Sequence, residues 1–205
     1  MTLEVSALEV YALVACYMTW RKTFMKSALV LTMLLAVSNL FAQQSKNPIT
    51  DVLREMLTGR AKNTIAAIDA MPADKFNFKP TPDQMTFGHL AAHIADGNYY
   101  FCANTADVPR PKADELKGTE EKGVLLQAVR ASFDFCKTAL EKADDSRLAG
   151  DITWFDKKPR ARAWAALGLA ASWADHYAMA AQYLRLNGIA PPTAQKAKEE
   201  EEKKK

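Results

Sequence analysis

The sequence predicts an all-α protein, folded as a four-helix bundle with crossover connections. Four long segments carry apolar residues near helical spacing, and no strand-rich region separates them. Only 8 of the 205 residues are glycine, while alanine, leucine and lysine, which favour helices, are plentiful. A chain of this length can form one domain with a hydrophobic core and is short for two.

Helices are expected at Pro48–Ala70, 86–104, 120–143 and 161–186. Proline suits the first turn of the first helix, and Gly188 is a typical stop for the last one. The prolines of segment 71–82 exclude a helix there, and 152–155 is expected to be a short extended piece. The long connections after the first and third helices leave room for crossovers.

Residues 1–42 are predicted to be a leader. Segment 25–42 has a basic start, an apolar run and a terminal alanine, the layout of a secretory signal peptide cleaved after Ala42. Translation is then expected to start at Met25. We expect export to the periplasm or another extracytoplasmic compartment, with no stable membrane association once the leader is cleaved.

One alternative for the leader stays open, a two-part membrane anchor made from 7–20 and 28–41. At the other end of the chain, 193–205 contains mainly lysine, alanine and glutamate and is expected to be a disordered tail. The bundle is therefore expected to span residues 43–192.

The formal net charge of +3 at pH 7 is small and spread along the chain. Nucleic-acid binding would need basic residues clustered on one face, so nucleic acid is excluded as a partner. The expected partner is a small-molecule substrate or ligand, and a homodimer is an open alternative.

Two cysteines remain once Cys16 is removed with the leader. Cys102 and Cys136 are an even pair in an oxidising compartment, and each follows an aromatic residue in a helical segment. A disulfide between neighbouring helices and a pair of small buried hydrophobic residues are both open interpretations. A catalytic thiol is disfavoured, because no histidine lies nearby in the sequence to activate it.

The chain has three histidines, and two of them share one face of a predicted helix. His89, His93 and Asp96 fall on that face within about two turns, since each helical residue advances ~100°. The neutral imidazole nitrogen binds divalent metals, and histidine is the commonest metal ligand. Each histidine alone is as consistent with a surface or hydrogen-bonded core residue. The pair favours a metal or catalytic site that also involves His176.

Three motifs carry a family resemblance: TFGHLAAHIAD at 86–96, DHY at 175–177 and YLRLNGIAPP at 183–192. Together they resemble the DinB-like (YfiT-like) metalloenzyme family over about 48–192. The resemblance implies a four-helix bundle of DinB-like type, whose pocket holds a divalent metal on three histidines. One histidine comes from the second helix and two, four residues apart, come from the last.

By position, the resemblance implies that His93 and His176 are metal ligands, with zinc or nickel the favoured ions. Ser172 stands where the family carries its remaining histidine, and a serine hydroxyl is a poor ligand beside imidazole. His89, one turn from His93, is one source of the missing nitrogen. Otherwise the site is degenerate and does not hold metal tightly.

The resemblance also implies a function, a metal-dependent hydrolase or thiol transferase. Export favours hydrolysis, because a cytosolic thiol cosubstrate would be absent. Asp96 and Asp175 are candidates for orienting an imidazole through its second ring nitrogen. The alternative is that both are ordinary solvated carboxylates, which is the favoured interpretation for Asp175. The competing interpretation is a non-enzymatic binding module with a decayed site, which the Ser172 departure supports.

Overall fold

The computed structural model describes residues 45–204 of the chain. The predicted leader at 1–42, its cleavage site and the alternative two-part anchor all lie outside the described residues. Residues Lys46–Lys205 form one compact unit. Among the described helices, none combines the length and the apolar character needed to cross a membrane.

Helices dominate the described chain. Five α-helices are formed, α1 Pro48–Ala70, α2 Phe87–Ala106, α3 Lys122–Glu141, α4 Ala163–Leu186 and α5 Pro192–Glu202. Two strands, β1 Asp151–Thr153 and β2 Pro159–Ala161, form an antiparallel hairpin before α4. The bounds of α1 to α4 differ by no more than two residues from those expected from the sequence.

The four long helices pack as a bundle with α1 and α2 at opposite corners. Helix α2 packs against α3 and α4, and α1 packs against the same two helices. The connections from α1 to α2 and from α3 to α4 therefore join diagonally opposite helices, whereas α2 leads to its neighbour α3. The predicted all-α bundle with two crossover connections is confirmed.

Helices α2, α3 and α4 are tied together at their centre. Cys102 on α2 and Cys136 on α3 form a disulfide with their Cα atoms 5.2 Å apart, inside the range that such a bond requires. One turn earlier on α2, the buried Asn98 donates to Ser132 Oγ at 2.9 Å and accepts from Trp173 Nε1 at 2.9 Å. Because both halves of this amide are satisfied, the polar group is accommodated in the core.

The start of α1 is capped from a distant part of the chain. Asp145, in the 3-10 turn after α3, accepts hydrogen bonds from Ile49 N at 2.7 Å and Thr50 N at 2.9 Å. In return, Asn47 Oδ1 accepts from Asp145 N at 3.0 Å. A carboxylate is favourable here, since the first amides of a helix lack intrahelical partners and carry partial positive charge.

The connection from α1 to α2 is held by two phenylalanines. Phe76 packs edge-on against Phe87 at 5.3 Å, and Phe78 packs edge-on against Tyr183 at 6.1 Å. The segment contains no α-helix, as its prolines indicated, and includes a 3-10 turn at Ala73–Lys75. These contacts fix the start of α2.

Only the first strand of the hairpin before α4 was predicted from the sequence. The expected extended piece at 152–155 overlaps β1, but its partner β2 carries no β-branched residue and gives no strand signal. The turn is closed by a hydrogen bond from Trp154 N to Lys158 O at 3.0 Å. Trp164 at the start of α4 is exposed and packs against Trp154 of this hairpin.

The expected disordered tail at 193–205 is wrong for most of its length. Helix α5 runs over Pro192–Glu202, and its start is anchored by Tyr177 Oη, which donates to Thr193 Oγ1 at 2.8 Å. Alanine, glutamate and lysine are strong helix formers, and Lys196 pairs with Glu200 one turn later at 3.6 Å. An anchored first turn removes the cost of helix nucleation that a free tail would meet.

Candidate functional site

The first turn of α2 sets the direction of its histidines. Thr86 caps the helix, its side-chain oxygen accepting from His89 N at 3.1 Å. His89, His93 and Asp96 all lie on the exposed side of α2, consistent with the shared face expected from their spacing. The chelating donors of this face therefore point out of the core.

His93 and His176 meet between α2 and α4. Their ring centroids are 4.9 Å apart and the planes are nearly perpendicular, at 82°. His93 is exposed, while His176 is partly buried. For comparison, two ligand nitrogens on one tetrahedral zinc lie roughly 3–3.5 Å apart. The structure thus joins two histidines that are 83 positions apart in the numbering.

Ser172 lies one turn before His176 on the same face of α4. Its Oγ atom is 2.9 Å from Nδ1 of His176, a hydrogen bond within the helix. Across the groove, a Cβ atom added to Gly97 of α2 would lie 3.9 Å from this oxygen and meet nothing closer. The hydroxyl therefore occupies the expected position of the remaining ligand, with open space beside it.

The protonation of His176 is biased toward the neutral form. Burial lowers the pKa of His176 below its ordinary value, and the neighbouring His93 lowers it further. The carboxylate of Asp175 and a hydrogen bond with the backbone of Ser172 act in the opposite direction without reversing the shift. A neutral imidazole is the form that binds a metal ion.

The two carboxylates expected to orient the histidines do not hydrogen-bond to them in the described structure. Asp96 pairs instead with Arg110, from the connection between α2 and α3. Arg110 is fully charged and its planar group matches a carboxylate, so it outcompetes an imidazole N–H. Asp175 is exposed and acts on His176 only through its charge.

His89 does not complete a three-donor site. It lines a cavity of about 650 Å³ between α2, α3 and the connection that joins them, together with His93, Asp96 and Tyr99. His176 does not line this cavity. Within residues 45–204, no group of three or more histidine, cysteine, aspartate or glutamate side chains is placed to hold one ion. His89 therefore shares the cavity wall with His93 and is not grouped with His176, and its role as third ligand stays a prediction.

Two residues behind the site were not anticipated from the sequence. Gly97 leaves the space opposite Ser172, and a glycine inside a helical pattern is the kind of signal that indicates close approach. Asn98 fixes α2 against α4 through Trp173, the residue next to Ser172. A single asparagine in an apolar helix carries no signal of such a role.

Comparisons with known proteins agree with this architecture. The family model described as the DinB superfamily matches residues 56–183, more than half of the chain. A crystal structure of a DinB-like protein from Bacillus cereus is similar in fold, with a TM-score of 0.57 at 15% sequence identity. The match covers 67% of this chain and 92% of that one. No curated protein matches the sequence. The chain belongs to the DinB superfamily.

Proposed function

We propose that this protein is an exported DinB-like metalloprotein that binds one divalent ion through His93 and His176. The observation that carries the proposal is the convergence of the two rings, 4.9 Å apart, from adjacent helices. His93 is exposed and His176 is partly buried, and the two rings come from different helices. The lowered pKa of His176 further supports ligation, because less free energy is needed to keep its ring neutral.

The donors present fit an ion held by two protein nitrogens. Ser172 supplies an oxygen at the third position, and that oxygen already shares a hydrogen bond with His176. Zinc and nickel bind imidazole and thiolate far better than a neutral hydroxyl. We therefore propose weak binding with zinc or nickel. A bound ion would supply Lewis acidity, lowering the pKa of a coordinated water or thiol for hydrolysis or thiol transfer.

The surrounding residues provide a place for a small molecule. The cavity of about 650 Å³ shares His93 as part of its wall, so a ligand there would lie beside the histidine pair. Tyr99 offers an aromatic surface, and the paired Asp96 and Arg110 close one side. Pockets of this size are typical of small-molecule sites. We propose that the substrate occupies this cavity, with hydrolysis favoured over thiol transfer.

The proposal is tested by calorimetric titration of the purified protein with Zn²⁺. His93→Ala and His176→Ala are each expected to weaken binding at least about tenfold, equivalent to about 1.4 kcal/mol. His89→Ala is the matched control, an exposed histidine on the same helix, and should leave affinity unchanged. An equal loss in all three variants would make His89 a ligand. No loss in any of them would remove the metal site.

A second candidate function is a non-enzymatic binding module built on the same bundle. Ser172 favours it, because the hydroxyl satisfies His176 without any ion. In this case the cavity would still bind a small molecule, but its affinity would not depend on metal. Comparing ligand binding before and after treatment with a chelator separates the two candidates.

A further inference from the structure

The tip of the hairpin exposes an unusual amount of aromatic surface. Phe155 in the turn is 60% exposed, Trp164 at the start of α4 is 53% exposed, and Leu167 one turn later is 65% exposed. Trp154 adjoins them. These four residues are named the aromatic tip. Large exposed apolar patches with a polar rim typically mark a protein or membrane interaction site.

The aromatic tip is held rigidly. Trp154 packs edge-on against Phe155 at 5.0 Å and against Trp164 at 5.9 Å. Phe155 also stacks on Tyr100 of α2, with ring centroids 4.2 Å apart. Because these rings order one another, they would lose little conformational freedom on meeting a partner surface.

Basic side chains surround the aromatic tip. Lys157 and Lys158 follow Phe155 in the turn, and Arg160 stacks over the ring of Trp164 at 4.6 Å. The only carboxylate of segment 154–160, Asp156, is paired with Arg160 at 2.9 Å. Three cations against one anion give the segment a net charge of +2.

We infer that the aromatic tip docks on an anionic membrane surface. Tryptophan and phenylalanine favour the boundary between lipid headgroups and acyl chains, where an aromatic ring can be partly buried. Lysine and arginine beside them are attracted to anionic headgroups. The turn of the hairpin combines the two, with the lysines exposed close to Phe155 in the sequence.

Charge complementarity favours a lipid surface over a second copy of this chain. Two copies meeting at their aromatic tips would bring two +2 segments together, and this repulsion opposes association. An anionic bilayer attracts the same charge. The inference is independent of the leader and of the metal site, since the aromatic tip belongs to the described bundle.

The inference is tested with an environment-sensitive fluorophore attached to the full chain. Thr153→Cys places the label beside the aromatic tip, while Leu186→Cys places it at the other end of α4, ~33 Å away by helical rise. Both variants carry Cys16→Ser, and Cys102 and Cys136 are protected by their disulfide. Vesicles of phosphatidylglycerol should shift the emission of the label at 153 to the blue, whereas phosphatidylcholine vesicles should not. The label at 186 should respond to neither, even where the leader tethers the chain.

Charge reversal provides the second measurement. Lys157→Glu with Lys158→Glu should weaken binding to phosphatidylglycerol at least about tenfold, as read by the label at 153. Lys203→Glu with Lys204→Glu makes the same substitutions at the end of the chain and should not change this response. An unresponsive label at 153, or equal effects of the two double variants, would overturn the inference. So would a concentration-dependent shift without lipid, which would make a second copy the occupant.

Discussion

A methyl group added to Gly88 on α2 would overlap the backbone carbonyl oxygen of Gly118. The reverse is also true, because a Cβ atom on Gly118 would overlap the backbone of His89. Gly118 additionally has a positive φ of 77°, which other residues adopt only with strain. Through this contact, the connection between α2 and α3 packs against the first turn of α2. Residues of the same connection form one wall of the cavity that His93 lines.

Gly88→Ala is expected to destabilise the protein by about 1–3 kcal/mol, the usual cost of overpacking against rigid backbone. Gly97→Ala on the same helix is the matched control, since its new methyl group would lie 3.9 Å from Ser172 Oγ and meet nothing closer. It should instead stabilise by about 0.5–1 kcal/mol through helix propensity. Urea unfolding measures both changes. Similar effects of the two variants would show that the approach of Gly118 is not tight.

Ser172→His should raise the affinity for Zn²⁺ at least about tenfold, because it adds an imidazole at the position where a third nitrogen is missing. Across from position 172, Gly97 of α2 carries no side chain. Ser172→Ala removes the hydroxyl without adding a nitrogen and is the control. Calorimetric titration gives both constants. If histidine and alanine at 172 bind zinc equally, the position does not belong to the metal site.

Reduction of the disulfide between Cys102 and Cys136 is expected to lower the free energy of unfolding by about 3–4 kcal/mol. The bond closes a loop of sequence separation 34, and the chain-entropy model gives this magnitude for such a loop. Urea unfolding with and without dithiothreitol checks the difference, with the double serine variant as a reductant-insensitive control. In the denatured protein without reductant, reactive thiols at Cys102 and Cys136 would contradict the bond.

Asp145→Ala should destabilise the fold by about 1–2 kcal/mol, the typical loss when a helix cap is removed. Partial burial raises the pKa of Asp145, but its hydrogen bonds from Ile49 and Thr50 outweigh this and hold the pKa below its ordinary value. Its stabilisation is therefore complete above the pKa of the unfolded chain and is lost as the pH falls through the folded pKa. Thermal unfolding from pH 7 downward should converge for Asp145→Ala and the parent protein. Asp83→Asn, in an exposed turn, is the control and should follow the parent throughout.

Expressed with its own leader, the protein should be recovered outside the cytoplasm with an amino terminus near Gln43. Intact mass and amino-terminal sequencing of the extracytoplasmic fraction make the measurement. A soluble cytoplasmic form that retains residues 25–42 would contradict export.

Much of the bundle could be predicted because its helices are long and their ends carry local signals. Pro48 and Gly188 mark the start of α1 and the end of α4 within the sequence itself. Strand β2 could not be predicted, since its three residues pair only because the chain turns at Lys157. Helix α5 depends on the anchor that Tyr177 gives to Thr193, a contact between separate elements.

The sequence identified the candidate donor residues of the site, but it could not predict how these residues are arranged in space. The family resemblance pointed to His176 and Ser172, which lie together because one helical turn separates them. Whether His89 joined them depended on how α2 is rotated against α4, and helical spacing alone does not define that rotation. The ion pair between Asp96 and Arg110 could not be predicted, because Arg110 lies in an irregular connection whose conformation no helical or strand periodicity indicates.

The side-chain amide of Asn98 fixes the register of α2 against α3 and α4 through two hydrogen bonds. Its nitrogen is matched to α3 and its oxygen to α4, so sliding either helix by one turn would leave half of a buried amide without a partner. Trp173, the hydrogen-bond partner of Asn98 on α4, directly follows Ser172 in the sequence. A substitution at Asn98 is therefore expected to change the distance between the rings of His93 and His176, because it alters how α2 packs against α4.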